Sequence, residues 1–273
     1  MGDARIRRAG AIAAFLALVA LFAAAVWSYG YRAALDQLSR RGEADLTLAA
    51  DRLTGELQRF RELAVLLADH PTLTPLVTGA PPEAAAALLR EVADKTASLD
   101  ILVVDAQGRE LAAAAPVERP PGHAEAPYFT RAMDGALGVY HLLSDRYGRR
   151  AFVFAAPIFS AAGPVAGAVI VVTDVEEVEA GWRGDRPTVF FTDDLGVIFV
   201  SNRSELLFRS RVGDPVTASL SDQYPAGRVT AFVSHVPRMA GGHEVWHVDG
   251  GPYVPERALH LTLDLPHMVI RAQ

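Results

Sequence analysis

The chain has 273 residues, a formal net charge of -6 and no cysteine. That length leaves room for one or two domains with real cores. The charge balance, with no basic tract beyond the N-terminus, argues against nucleic acid as a partner, and the missing cysteines exclude disulfides, thiol catalysis and cysteine-type zinc sites.

Residues Ala9 to Tyr31 carry no charge and as a helix would cross the roughly 30 Å hydrocarbon core of a bilayer. Arg5, Arg7 and Arg8 precede the run, and Trp27, Tyr29 and Tyr31 sit where an outer aromatic belt belongs. The positive-inside rule then predicts a cytoplasmic N-terminus with the remainder outside. Ala23-Ala24-Ala25 offers the small residues of a signal-peptide cleavage site, but the apolar run is long for a signal peptide, so an uncleaved anchor is the expectation. No second apolar run of that length follows; if the chain is complete, everything after Tyr31 lies outside the cytoplasm.

From Arg32 to His70, Leu35, Leu38, Leu46, Ala49, Leu53, Leu57, Phe60, Ala64 and Leu67 recur mostly three or four apart, which predicts one long amphipathic helix. Its stripe can pack along its own domain or add a dimer seam. Pro71 stops it, and Pro81-Pro82 opens a second helix over Glu83 to Ala97. Asp100 to Ala114 then reads as a hairpin whose turn has Asp105 and Gly108 three apart, and the same pattern returns over Thr188 to Asn202 with Asp193 and Gly196. Asp first and Gly fourth suit a type I turn with a bulge. Two copies of one hairpin argue for two related modules in tandem.

Between them, Pro127 to Asp134 reads as a short helix, followed by strands at Leu137 to Ser144, Arg150 to Phe159 and Val165 to Val172 with tight turns at Tyr147-Gly148 and Ala162-Gly163. Such a unit closes half of an antiparallel sheet and leaves a cavity between sheet and helix. The side chains that could line it are Tyr128, Arg131, Tyr140, Ser144 and Arg146. Tyr128 could equally pack under the helix, while Tyr140 shares a strand face opposite to that of Val139 and His141. Arg149 and Arg150, at a hairpin tip, are expected in solvent. So are Glu176, Glu177 and Glu179, on a short acidic helix that opens the linker Thr173 to Pro187. Ser204 to Ser210 reads as helix-like, and Arg228 to His235, His243 to Val248 and Ala258 to Leu265 as weak strands.

The stretch YFTRAMDGALGVYHLLSDRYGRRAFVFAAPI, then GAVIVVTDVEEVEAGW and VFFTDDLGVIFVSNRSE, resembles the periplasmic half of the C4-dicarboxylate sensor histidine kinases of the DctB type. The resemblance spans about Arg32 to Leu265. It implies an α+β fold: a transmembrane helix, a long amphipathic helix and two tandem PAS-like (double Cache) antiparallel-sheet modules. The expected division is 1–31 for the cytoplasmic stub and anchor, 32–98 for the stalk helix and second helix, 99–182 for the membrane-distal ligand-binding module and 183–273 for the membrane-proximal one. It further implies a sensor in a bacterial inner membrane, facing the periplasm, for C4-dicarboxylates or another small organic acid, with no cofactor. Partners would be that ligand, the membrane through 9–31, and a second copy or a longer sensor kinase through 32–70. The family's kinase core has no counterpart here, so no catalytic role is expected of this chain; a truncated, non-binding remnant is the alternative.

Three places depart from the family pattern. Ala126 stands where an Arg precedes Pro-Tyr-Phe, Val172 where a Lys precedes the linker, and Ala113 to Ala115 where a polar pair follows the first hairpin. Gly138 and Pro157 read as structural. His243-Glu244-Val245-Trp246-His247 spells the HExxH of zinc peptidases, whose chemistry needs a helix so that both imidazoles reach one metal. Gly241-Gly242 before it and Gly250-Gly251-Pro252 after it leave room for a short strand only, in which the histidines stand about 13 Å apart. No zinc site is expected.

Overall fold

The computed structural model describes residues 2–117, 122–161, 163–210, 223–225, 227–232, 234–249, 255–265 and 270–272. Contacts divide the chain into two units: residues 1–46 with 233–261, and residues 47–232 with 262–273.

The membrane run and the amphipathic helix form one continuous helix, α1 (Gly2–Ala68). Among the described residues it is the one helix long and apolar enough to cross a membrane. Ile12, Phe15, Leu16, Leu21, Phe22 and Trp27 are exposed on all its sides, as suits a segment meant for lipid rather than a protein core. Further along, Ala50, Leu53, Leu57, Phe60, Ala64 and Leu67 form a buried stripe. The three-and-four spacing therefore marks the packed face, while Leu38, expected within it, is half exposed. A 3-10 turn (Thr74–Thr78) follows, then α2 (Glu83–Thr96). The latter stops at Ala97, whose left-handed backbone lets the Ser98 N–H return to the Ala93 carbonyl.

The first sheet contains β1 (Asp100–Asp105), β2 (Glu110–Ala113), β3 (Gly138–Ser144), β4 (Arg149–Phe159) and β5 (Val165–Asp174), all antiparallel in the order β2-β1-β5-β4-β3. β1 is buried along its whole length and β5 over nearly all of it, because helices or other layers cover both faces of these central strands. α3 (Pro127–Met133) starts with Pro127 at its first position and packs over β3, β4 and β5. It lies so close that any Cβ at Gly138 would run into the Tyr128 carbonyl, which explains the glycine. After β5, α4 (Val175–Ala180) is capped by Asp174, whose carboxylate accepts from the Glu176 N–H at 2.8 Å.

A second hairpin, β6 (Phe190–Asp193) and β7 (Ile198–Ser201), repeats the first down to its turn. Asp105 Oδ1 accepts from the N–H groups of Gln107 and Arg109, both at 2.9 Å. Asp193 Oδ1 accepts from Leu195 and Val197 at 3.0 and 2.8 Å. Gly108 and Gly196 both take positive φ, 71° and 74°, and each ladder slips register just before the turn. The expected helix over Ser204 to Ser210 is corrected: a single 3-10 turn (Ser204–Leu206) leads into β8 (Arg209–Ser210), which pairs in parallel with β9 (Thr230–Ala231). The reason is local, since Phe208 adopts φ 59° and gives its N–H to the Ile198 carbonyl of β7 instead of to a helical partner.

The strands β10 (Ser234–Ala240), β11 (His243–Asp249) and β12 (Arg257–Leu259) form a separate antiparallel sheet in the unit that includes the start of α1. HExxH lies in β11. His243 Nε2 bonds Asp36 Oδ1 at 2.7 Å, and Trp246 packs between His235 and His260 with ring centroids 4.2 and 3.9 Å away. The helix that zinc chemistry needs is not formed. In the larger unit, β13 (Leu263–Asp264) and β14 (Ile270–Ala272) return to complete the second sheet, order β13-β14-β6-β7.

Two expectations of solvated charge are wrong. Arg150 and Glu179 are buried, with side chains 3% and 1% exposed, and meet as a two-pronged ion pair at 2.7 and 2.8 Å. Arg150 also donates to the Phe199 carbonyl at 2.6 Å, and Glu179 accepts the Ser201 N–H at 2.9 Å. The arginine stands one residue inside the β3-β4 turn, on the face that meets α4 and β7, so the tip of the hairpin is covered on that side. Arg149 beside it is half exposed and pairs with Asp174.

Candidate functional site

Between the first sheet and the segment around α3 lies a cavity of about 560 Å³, within the size range of small-molecule pockets. Alternation along the strands builds its apolar wall. Leu102 of β1, Leu142 of β3, Val153 of β4 and Ile170 and Val172 of β5 line it, and Leu102, Val153, Ile170 and Val172 belong to the core cluster under α3. Its polar side comes from the end of β3 and the following turn, Ser144 to Tyr147, and from His123 and Tyr128.

Arg146 is the main charge there. One η nitrogen donates to Glu110 Oε2 at 2.7 Å; the other donates to the Ala115 carbonyl at 2.8 Å and lies 3.0 Å from Asp100 Oδ2. Asp100, fully buried at the start of β1, also accepts from the Tyr147 hydroxyl at 2.5 Å and from the N–H groups of Ile101 and Ala115 at 2.8 and 3.0 Å. Burial raises the Asp100 pKa above the usual carboxylate value, and the Tyr147, Ala115 and Arg146 contacts only partly offset it. One guanidinium thus meets two carboxylates.

Also in the lining, His123 Nδ1 and the Tyr128 hydroxyl share a 2.8 Å hydrogen bond. Burial pushes the Tyr128 phenol up to about 12 and pulls His123 below 6.5. Two buried nitrogens of this lining, His123 Nε2 and Arg146 Nε, have no hydrogen-bond partner among the described residues.

The depressed His123 has a consequence for stability. An unfolded histidine gains its proton near pH 6.5 and the folded one only at lower pH, so the unfolded state binds more protons in that window and stability falls as pH drops through it. We expect His123→Asn, which keeps a polar group but cannot titrate, to flatten this part of the acid limb between pH 7 and 5.5. Denaturant unfolding of the full chain in detergent at stepped pH checks this; an unchanged slope in the variant refutes it.

Of the five side chains singled out from sequence, the structure brings Tyr128, Ser144 and Arg146 to the cavity. Tyr140 is half-buried beside it: its ring lies 6.4 Å from that of Tyr128, and its hydroxyl accepts from Gln223 Nε2 at 3.0 Å. Arg131 is exposed in the last turn of α3 and is not part of the lining. Val172 lines the cavity and Ala126 is the residue before α3, so both places where a cation was expected adjoin the site. Sequence reasoning passed over Asp100, Glu110, His123 and Tyr147. An aspartate opening the apolar run Ile101 to Val104 was a usable signal, because a charge at a buried strand end needs a partner. His123 lies in an irregular Pro- and Gly-rich segment and had none.

No family model matches the chain. The C4-dicarboxylate transport sensor protein DctB of Pseudomonas aeruginosa is 25% identical over 224 residues, 77% of this chain and 36% of that protein. The chain therefore spans about a third of the length of the curated relative it matches. Among solved structures, the V. cholerae histidine kinase DctB sensor domain superposes with a TM-score of 0.66 at 21% identity, covering 84% of this chain and 96% of that one. The ligand-binding domain of a P. aeruginosa amino acid chemoreceptor, PctC, in complex with GABA gives 0.52 at 19% identity, over 83% and 93%.

Proposed function

We propose that this chain, a DctB-type periplasmic sensor region by sequence likeness and fold, detects a small organic molecule in the cavity between α3 and the first sheet. The observation that carries the reading is the cavity itself: a cleft of small-molecule size with an apolar wall and a polar side holding nitrogens without a partner among the described residues. The sequence relative is named for C4-dicarboxylates, and small organic acids as a class, mono- and dicarboxylates alike, are the candidate ligands. The sensor is held by α1 in a bacterial inner membrane, N-terminus inside and the sheets in the periplasm, and hands its signal to a second copy or a longer sensor kinase. Exposed Leu48, Val65 and Leu66 on α1 favour pairing along residues 32–70.

Thermal unfolding of the full chain in detergent, with a panel of dicarboxylates, monocarboxylates, amides, amino acids and amines, tests the core of this reading. A ligand at a hundred times its Kd stabilises by about 2.7 kcal/mol, a shift of a few degrees. At least one compound is expected to give a saturable shift, and silence across the panel refutes the reading. Orientation is read separately: with no native cysteine, Lys95→Cys, on an exposed side chain, should react with a membrane-impermeant maleimide from outside the cell. Pairing is read by cross-linking through Leu66→Cys.

A further inference from the structure

We infer that the cavity takes a ligand with one hydrogen-bond-accepting head on an apolar body, not a molecule with two anionic ends; this rests on the cavity being the ligand site. Charge is the first reason. Arg146 is the fixed cation of the lining among the described residues, and both Asp100 and Glu110 already sit on it at 3.0 and 2.7 Å. Its positive charge is matched before any ligand arrives, and burial keeps His123 neutral under ordinary conditions.

Placement is the second reason. The polar lining consists of Ser144 to Tyr147, on one strand end and its turn, with the hydrogen-bonded His123 and Tyr128. The wall made by Leu102, Leu142, Val153, Ile170 and Val172 offers no donor. A single head can meet Arg146 Nε or His123 Nε2, neither of which has a hydrogen-bond partner among the described residues. The second carboxylate of a C4-dicarboxylate would face aliphatic carbon, where an anion without charge-assisted hydrogen bonds is strongly disfavoured. A single carboxylate or carbonyl leaves its carbon chain against that wall and asks for nothing more.

Isothermal titration of the full chain in detergent with isovalerate, isovaleramide, succinate and malate tests this. Isovalerate or isovaleramide should bind at least about tenfold more tightly than either dicarboxylate, a difference of about 1.4 kcal/mol or more. Leu142→Lys, on the edge strand β3, would supply the missing second cation and should narrow or reverse that ratio. Tighter binding of succinate or malate to the wild-type chain overturns the inference and leaves the sensor reading standing. Failure of all four, with a shift from amino acids or amines in the wider panel, also overturns it alone. If no compound of the wider panel binds, both fall. Should Leu142→Lys fail to fold, the wild-type ratio still decides.

Discussion

Glu179→Ala will cost about 3–5 kcal/mol of folding stability, the usual result of stripping one partner from a buried ion pair. The carboxylate is 1% exposed and takes both prongs of the Arg150 guanidinium, itself 3% exposed, together with the Ser201 N–H. Truncation leaves a buried cation with only the Phe199 carbonyl as acceptor and strips the Ser201 N–H of its acceptor. These contacts also join α4, β4 of the first sheet and β7 of the second, so the loss weakens the seam between the sheets as well as one site. Replacing the pair by Arg150→Met with Glu179→Leu should recover most of the loss, since apolar side chains of similar size carry no desolvation cost. Urea unfolding of the two single variants and the double variant gives the coupling energy. Because the pair is buried, added salt should change the result little. A loss under 1 kcal/mol for Glu179→Ala, the range of surface pairs, refutes the expectation.

That pair shows where sequence reasoning stops. Periodicity recovered α1's buried stripe, and proline and turn signals around apolar runs recovered α2 and the strands β1 to β5, because those signals are local to each element. The repeated Asp-x-x-Gly turns were legible for a similar reason: Asp105 and Asp193 bond to N–H groups two and four residues on, so their whole environment is local. Arg150 and Glu179 looked like solvated charges because what buries them comes from β7, remote in sequence. Within the site, Tyr128, Ser144 and Arg146 could be placed from the helix-and-hairpin pattern, whereas Asp100 and Glu110 belong to it only through pairing with Arg146 across the sheet. Arg131 failed for a simpler reason. The short helix α3 turns Tyr128, Phe129 and Ala132 inward, and position 131 lies on the far side.

Arg146→Met is expected to cost about 3–5 kcal/mol, and to do so in a pH-dependent way that identifies the cause. The substitution leaves Asp100 and Glu110, whose side chains are 0% and 7% exposed, without their shared cation. Asp100 already has its pKa raised by burial, with Arg146 among the contacts that restrain the rise; without it the folded-state value climbs further. A carboxyl whose folded pKa lies above its unfolded one adds stability that is fully present below the unfolded value of 3.8. That stability is lost as pH rises through the folded value. In the variant that loss extends to higher pH, so the stability difference from the wild-type chain should be smallest in acid and largest near neutrality. Arg146 also contributes to lowering the His123 pKa, so the comparison is made in a His123→Asn background, where that residue cannot titrate. Glu110→Gln in the Arg146→Met background should restore part of the stability, because a neutral amide tolerates burial beside Asp100 better than a second carboxylate does. A cost that is the same at pH 5 and pH 8, or that Glu110→Gln deepens, would mean that Arg146 supports the fold by packing and not by holding two buried carboxylates.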